Sequence, residues 1–298
     1  MTMAFDTTEN CSRSVTSLKR QGINTIIRYY CRPELNWKRM GQAESIAIAR
    51  AGVALGVVYQ NRQNQPADFS ADKGEASGNQ ACDYAENVIF QPADSAIYFA
   101  VDFDPSEAVV KGNIVPFFKG IQKAFKAKVA SGSPSYRIGV YGSGRTCRIL
   151  LEQELVDYTW ITQSTGFAEY RKFLASGKWN LKQLLPTTIA GVPGDPDEAN
   201  PNQADFGSFM LDLGAPGPAA PPPDGIGGGT GAGDLFTVIA RSGLRVRSGP
   251  GVEFDIRSLL PAGTKVKVLS RSGDWAKIDA TGDGNADGFV FAAFLAPS

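Results

Sequence analysis

The sequence predicts an α/β chain: a (β/α)8 barrel over residues 1–213, a linker over 214–233 and a small all-β barrel over 234–298. Three observations predict it. Short β-branched and aromatic runs alternate with amphipathic ones through the first part, as expected when parallel strands are joined by helices. Polar residues recur at the carboxyl ends of those runs, where α/β folds gather their ligands. A stretch dominated by Pro and Gly then intervenes, and beyond it every run is short and β-like. Eight strands with their helices in about 210 residues make a compact barrel, with a doubly wound sheet as the competing arrangement.

The elements follow in order. Ala4 to Asp6 reads as a short strand, and Ser14 to Gln21 as a helix closed by Gly22. Ile23 to Tyr30 is a second strand, β-branched and aromatic almost throughout. A helix over Ala43–Ala51 leads through Gly52 into a third strand, Ala54 to Gln60, and the polar stretch from Asn61 to Ala71 reads as loop. Lys73 to Val88 is a helix, and Ile97 to Val101 a fourth strand buried on both faces. In the next helix, Ile114 to Val129, residues Ile114, Phe117, Phe118, Ile121 and Phe125 fall at helical spacing and belong to the core. Arg137 to Tyr141 is a fifth strand, turned by Gly142-Ser-Gly144 into a helix that reaches Glu154. Tyr158 to Thr162 is a sixth strand, followed by a helix over Phe167–Ala175. Asn180 to Leu185 and Ala204 to Met210 are the candidates for strands seven and eight. Between them, Ala190 to Pro201 is so rich in Pro, Gly and acid that it reads as a loop.

Composition narrows the chemistry. Of 298 residues, 30 are basic and 30 acidic, so no global field points to nucleic acid or an anionic membrane. The chain has no histidine, which removes Ser-His-Asp and Cys-His catalysis, the usual zinc sites and any imidazole base. Acid–base work near neutral pH then falls mainly to carboxylates, with tyrosine assisting. Cys11, Cys31, Cys82 and Cys147 are widely spaced with no CxxC pair, and read as small core residues. One disulfide among them is possible. No cofactor or metal is called for. The N-terminus lacks a basic region and an apolar signal core, and no run approaches membrane-spanning length. The expectation is a monomer that reaches an extracellular site by lysis or a dedicated export route.

The fourth strand ends in two carboxylates one residue apart, Asp102 and Asp104. Side chains alternate along a strand, so both are expected to face one space while Phe103 packs away. Crowded carboxylates shift each other's pKa and can divide acid and base roles. Asp6, Arg28, Tyr30, Gln60, Tyr141, Gln163 and Asp205 fall at the ends of other strands, and Trp160 lies inside the sixth. These are the candidate substrate-binding and acidic residues. Arg28 could instead form a structural ion pair, and Trp160 could equally stack on a sugar or fill the core.

The C-terminal runs Leu244-Arg-Val-Arg-Ser-Gly-Pro-Gly251, Leu260-Pro-Ala-Gly-Thr-Lys-Val266, Asp274-Trp-Ala-Lys-Ile278 and Gly288-Phe-Val290 resemble a bacterial SH3-type (SH3b) domain. The resemblance implies a module that tethers enzymes to peptidoglycan, with Trp275 and Phe289 as ligand contacts or core residues. Asp283-Gly-Asn-Ala-Asp-Gly288 is similar to the start of a calcium loop, but the twelfth position is Phe294 rather than a bidentate Glu, so it reads as a polar hairpin.

In the first part, Ala4-Phe-Asp-Thr7, Ile27-Arg-Tyr-Tyr30, Ile97-Tyr-Phe-Ala-Val-Asp-Phe-Asp104, Gly139-Val-Tyr-Gly-Ser143, Thr159-Trp-Ile161 and Ala204-Asp-Phe206 resemble the glycoside-hydrolase-like domain of unknown function 1906 family, itself similar to the family 25 lysozymes. The resemblance implies a barrel whose mouth binds a glycan. By position, Asp6 matches the lysozymes' first-strand Asp, Asp102 and Asp104 their Asp-x-Glu, and Asp205 the acid on the last strand. Asp104 is one methylene shorter than the Glu it replaces. The function this implies is a peptidoglycan hydrolase of muramidase type carried to the wall by its SH3b domain, with Asp104 as proton donor. The rivals are a wall-glycan-binding protein without turnover, and an antibacterial toxin or phage lysin built on the same domains.

Overall fold

The computed structural model describes residues 3–213, 235–240, 243–251 and 254–298. The linker expected over 214–233 lies outside the described residues. The chain divides into two compact units, Met1–Leu211 and Asp212–Ser298.

The first unit is a closed eight-stranded barrel. Strands β1 (Met3–Asp6), β2 (Ile23–Tyr30), β3 (Ala54–Tyr59), β4 (Ala96–Ala100), β5 (Arg137–Gly142), β6 (Tyr158–Ile161) and β7 (Leu181–Gln183) run parallel in sequence order. Between them lie helices α1 (Val15–Arg20), α2 (Gln42–Arg50), α3 (Ala71–Tyr84), α4 (Glu107–Val109), α5 (Val115–Ala130), α6 (Gly144–Glu152) and α7 (Tyr170–Ala175). A short β8 (Thr187–Ile189) turns back into β9 (Val192–Ala199). β9 runs antiparallel to both β7 and β1 and closes the cylinder.

That closure corrects the expected eighth strand. The segment read as a loop is the closing strand, while Ala204–Met210 is no strand but a plug across the opposite end of the barrel. There Ala96 N donates to Gly207 O at 2.9 Å, Leu55 and Phe209 exchange backbone bonds at 2.7 and 2.8 Å, and Tyr98 Oη donates to Phe206 O at 2.8 Å. The composition of β9 misleads because it holds Pro193, Gly194 and Pro196, residues that weaken a strand. Pro196 contributes only its carbonyl, which accepts from Leu184 N at 2.8 Å. Gly194 is required by proximity, since a Cβ there would lie 2.4 Å from the Asp6 carbonyl oxygen.

The barrel interior is filled by Ala4, Ile27, Val58, Ala96, Tyr98, Ala100, Trp160, Leu181 and Phe206. Small residues on β1 and β4 make room for the two large rings, Tyr98 and Trp160, which meet edge to face at 5.9 Å. All four cysteines are free and buried. Among the described residues no helix is long and apolar enough to cross a membrane.

The second unit is an antiparallel sheet of β10 (Leu235–Val238), β11 (Leu244–Arg247), β12 (Ile256–Leu260), β13 (Lys265–Ser272), β14 (Trp275–Asp279), β15 (Gly288–Phe291) and β16 (Leu295–Pro297), in spatial order β12-β11-β15-β14-β13-β10-β16. Val246, Ala276, Ile278, Val290 and Phe294 form its core. Trp275 is half-buried and packs edge-on against Phe291 at 5.5 Å; Phe289 is also half-buried. The loop with the calcium-like spacing is held by carboxylates accepting backbone bonds: Asp279 from Gly282 N and Gly284 N at 2.6 and 2.8 Å, and Asp287 from Ala280 N at 2.7 Å.

Candidate active site

Alternation along each strand decides what reaches the barrel mouth. On β2, Ile27 points into the barrel, so Tyr29 is the residue that follows it to the mouth, and Arg28 and Tyr30 face outward. On β3 the inward Val58 is followed by Gln60, and on β4 the inward Ala100 by Asp102. Tyr141 arrives from β5, Trp160 and Gln163 from β6 and its end, and Gln183 from β7. β9 enters in reverse, so its beginning rather than its end brings Asp195 to the mouth. Together these residues line a cleft of about 200 Å³.

Two carboxyls face this cleft, Asp102 and Asp195. In the order of strands around the cylinder, β4 and β9 are separated by three strands on either side, so the two acids stand on opposite walls. Asp6 is paired in register with Asp195, and Ala4 with Asp197, so three acids crowd one seam. Like charges directly opposite on paired strands repel. The amide of Gln183 relieves this, its Nε2 donating to Asp6 Oδ2 at 2.9 Å and to Asp195 Oδ2 at 3.3 Å. Its Oε1 then accepts from Tyr141 Oη at 2.8 Å, which fixes the amide's orientation. Tyr29 Oη donates to Asp6 Oδ1 at 3.1 Å, and Trp160 Nε1 donates to Asp197 Oδ1 at 2.8 Å.

Among the described residues no Lys or Arg forms an ion pair with these seam acids. Burial pushes the Asp6 carboxyl up to about 7, with Gln183 and Tyr29 pulling the other way and Asp195 and Asp102 adding to the rise. Burial, reinforced by Asp6, holds Asp197 well above the usual carboxylate range, and burial raises Asp195. Asp195 Oδ1 and Asp197 Oδ2 are buried with no hydrogen-bond partner. A bare ionised oxygen in such a place is costly, so the protonated acid is favoured. Asp102, by contrast, is exposed and accepts from Gln60 Nε2 at 3.1 Å, while Gln60 Oε1 accepts from Lys38 Nζ at 3.2 Å.

Several expected site residues lie elsewhere. Asp102 and Asp104 do not share a hollow: β4 ends at Ala100, so alternation does not carry to Asp104, whose Oδ2 accepts from Ala168 N at 3.0 Å. Asp104 is absent from the cleft lining. Asp205 belongs to the plug at the far end, where its Oδ1 accepts from Gly207 N at 2.8 Å; it is not an acid of the last strand. Arg28 is a buried structural ion pair, its Nε and Nη2 donating to Glu44 Oε1 and Oε2 at 2.7 and 3.2 Å. Tyr30 is also buried outside the barrel, its hydroxyl on Gln91 Oε1 at 2.9 Å. Gln60, Tyr141, Trp160 and Gln163 do line the cleft, with Asp6 directly behind it. Tyr29, Gln183, Asp195 and Asp197 were not anticipated. For Tyr29 the signal was available in the parity of β2 once Ile27 is taken as inward.

A model of the Rv2525c-like, glycoside hydrolase-like domain matches residues 16–197, more than half of the chain and all of this barrel's strands except β1 and the last two residues of β9. The chain belongs to that family. A bacterial SH3 domain model matches residues 242–296, the second unit. Among curated relatives of the glycoside hydrolase-like domain, the uncharacterized protein YbfG of Bacillus subtilis is 30% identical over 185 residues, covering 60% of this chain and 25% of YbfG. The uncharacterized FadG of the same bacterium is 27% identical over 191 residues, covering 63% of this chain and 32% of FadG. The chain thus spans only a quarter to a third of the length of these relatives. The Tat-secreted protein Rv2525c of Mycobacterium tuberculosis, crystallised with HEPES, superposes with a TM-score of 0.56 at 20% identity, over 70% of this chain and 98% of Rv2525c. That likeness establishes the shared fold.

Proposed function

We propose that this protein is a cell-wall glycan hydrolase of muramidase type, working by carboxylate acid–base chemistry and brought to peptidoglycan by its bacterial SH3 domain. The observation that carries the reading is the placement of Asp102 and Asp195 on opposite walls of one cleft, with two buried acids behind Asp195. Glycoside hydrolysis needs such a pair, one carboxyl protonated and the other ionised, flanking the scissile bond. Asp195 is the proton donor: burial raises it, and its Oδ1 lies buried with no hydrogen-bond partner. Its proton passes to the glycosidic oxygen as the bond to the anomeric carbon breaks. Asp102, on the open side, stabilises the positive charge that develops on the sugar or takes a proton from the attacking water. Tyr141 and Gln183 hold the acid in place, and Gln60 orients Asp102.

Membership in a glycoside hydrolase-like family and the attached SH3 domain support this assignment. The test is release of reducing ends from purified peptidoglycan by the full chain. Activity that is lost in Asp195→Asn and in Asp102→Asn supports the reading; activity that survives both removes it. One observation favours a second reading, a wall-glycan binder without turnover: Asp104, which stands at the lysozymes' proton-donor position, is bound to the Ala168 amide instead of facing the cleft. A wild-type chain that sediments with cell walls and releases no reducing ends would decide for binding.

A further inference from the structure

We propose that a second cavity, between the end of β3 and α3, binds a phosphate monoester borne on a sugar or similar polyol. The inference does not rest on the glycan reading of the cleft. On β3 and just beyond it, Val58 and Gln60 belong to the cleft, so the alternate residues Tyr59 and Asn61 face the other way, toward α3. There they line a hollow of about 350 Å³ that shares no residue with the cleft. Its far wall is one face of α3, carrying Lys73, Ala76, Ser77 and Gln80 at helical spacing. Arg32, just past β2, and Arg62 join Lys73 to give the lining three cations against a single acid, Asp68. Asp68 already accepts from Asn64 N at 3.2 Å, and among the described residues none of the three cations forms an ion pair. Lys73 Nζ donates to the Ala67 carbonyl oxygen, which leaves its other protons free.

The neutral side chains between these charges decide what the ligand must offer. Arg32 N donates to Asn61 Oδ1 at 2.8 Å, which orients that amide and commits its Nδ2 to Tyr59 Oη at 2.8 Å. Tyr59 in turn donates its proton to Gln80 Oε1 at 2.6 Å, so Gln80 is left presenting Nε2. Gln63 is oriented in the same way. Its Oε1 accepts from Asn61 N at 2.7 Å, and its Nε2, on a residue only 6% exposed, has no hydrogen-bond partner among the described residues. The Gln63 backbone also stands at φ 49°, in the left-handed region that is costly for a residue other than glycine. Each run of bonds therefore starts at a backbone amide and ends in an unused N–H, and a ligand made of acceptors fits. Three cations and one acid leave an excess of positive charge that a phosphate monoester, at about −1.5 to −2 near neutral pH, balances and a single carboxylate does not. Paired guanidiniums suit the forked geometry of phosphate oxygens. The volume is far above that of a bare phosphate and leaves room for a carrier against Ser77 and Gln80.

Calorimetric titration of the full chain with N-acetylglucosamine 6-phosphate, inorganic phosphate, succinate and N-acetylglucosamine tests this. The sugar phosphate is expected to bind about tenfold or more tighter than inorganic phosphate, and inorganic phosphate tighter than succinate. Arg32→Gln and Arg62→Gln should each weaken sugar-phosphate binding by about tenfold, and the double variant should abolish it. Both side chains are exposed, so these variants should melt with the wild type, and Lys119→Gln, on the exposed face of α5, should change nothing. Gln63→Glu keeps the bond to Asn61 N but turns the unused donor into a carboxylate oxygen, and should weaken binding more than either arginine variant. Equal sugar-phosphate affinity in the wild type and the double arginine variant would overturn the site. Succinate bound as tightly as the sugar phosphate would overturn the recognition of phosphate, and inorganic phosphate bound as tightly would overturn the part given to the carrier. Any N-acetylglucosamine held by the cleft should stay bound in every variant. A chain that binds the sugar phosphate but releases no reducing ends from peptidoglycan would remove the hydrolase reading and support this site on its own.

Discussion

The two ends of the barrel use the same kinds of side chain and reach opposite results. At the plugged end, the Asp205 carboxyl is tied to the Gly207 amide, and Tyr98 hands its hydroxyl to the Phe206 carbonyl, so the polar groups there are spent on holding the plug. At the mouth, Asp6, Asp195 and Asp197 lie against one another on the β1–β9 seam with too few donors to go round, and two of their oxygens have none. The difference teaches that an acid's chemistry here is set by what neutralises it. A carboxylate whose lone pairs are met by backbone amides is structural, and one that is crowded and underserved stores a proton.

The contrast can be broken most sharply at the mouth. Asp102→Asn or Asp195→Asn should lower reducing-end release by about 10²–10⁴-fold without lowering the melting temperature, the usual toll of losing a positioned acid or base. At the plug, Phe206→Ala should cost about 3–5 kcal/mol in urea unfolding and leave the rate per folded molecule unchanged, because the ring fills the barrel floor and touches no cleft acid. The seam also makes a pH prediction. A carboxyl raised to about 7 in the folded state, against 3.8 unfolded, binds its proton more tightly when folded. Its stabilising contribution is complete below about pH 4 and is lost as pH rises through 7. Asp6→Asn should therefore flatten the fall in unfolding free energy between those limits, and Asp197→Asn, whose carboxyl burial also raises, should flatten it in the same sense, as urea titrations at several pH values would reveal. The smallest effect belongs to Asp205→Ala, which removes one acceptor for the Gly207 amide and should cost about 1 kcal/mol while leaving turnover intact.

Most of the barrel was legible because parallel strands buried on both faces read as unbroken β-branched and aromatic runs, as in Ile23–Tyr30 and Tyr158–Ile161. The same property hid the orientation of the strands. With no alternation of polar and apolar residues on β2, nothing local distinguished the inward Tyr29 from the outward Arg28, whose partner Glu44 sits on the neighbouring helix. Asp102, Gln60 and Tyr141 were found because each stands just beyond, or at the end of, an obvious run. Asp195 and Asp197 were not, because Gly-Asp-Pro-Asp is turn chemistry by every local rule, and only closure between β7 and β1 makes it a strand. Asp104 was misplaced by extending a period of two well past Ala100, the end of β4. In the second unit, β12 and β16 escaped notice because their pairing with β11 and β10 gives them their regularity.

The closing strand is therefore both the join that completes the cylinder and the mount for its acids. Its prolines deprive the join of amide donors, and its one close-packed glycine allows no methyl group between β9 and the Asp6 backbone. Engineering a tougher barrel by swapping these residues for better strand formers would move the charges that set the proton inventory, so durability and the protonation of the acids pull against each other along this single line of contact.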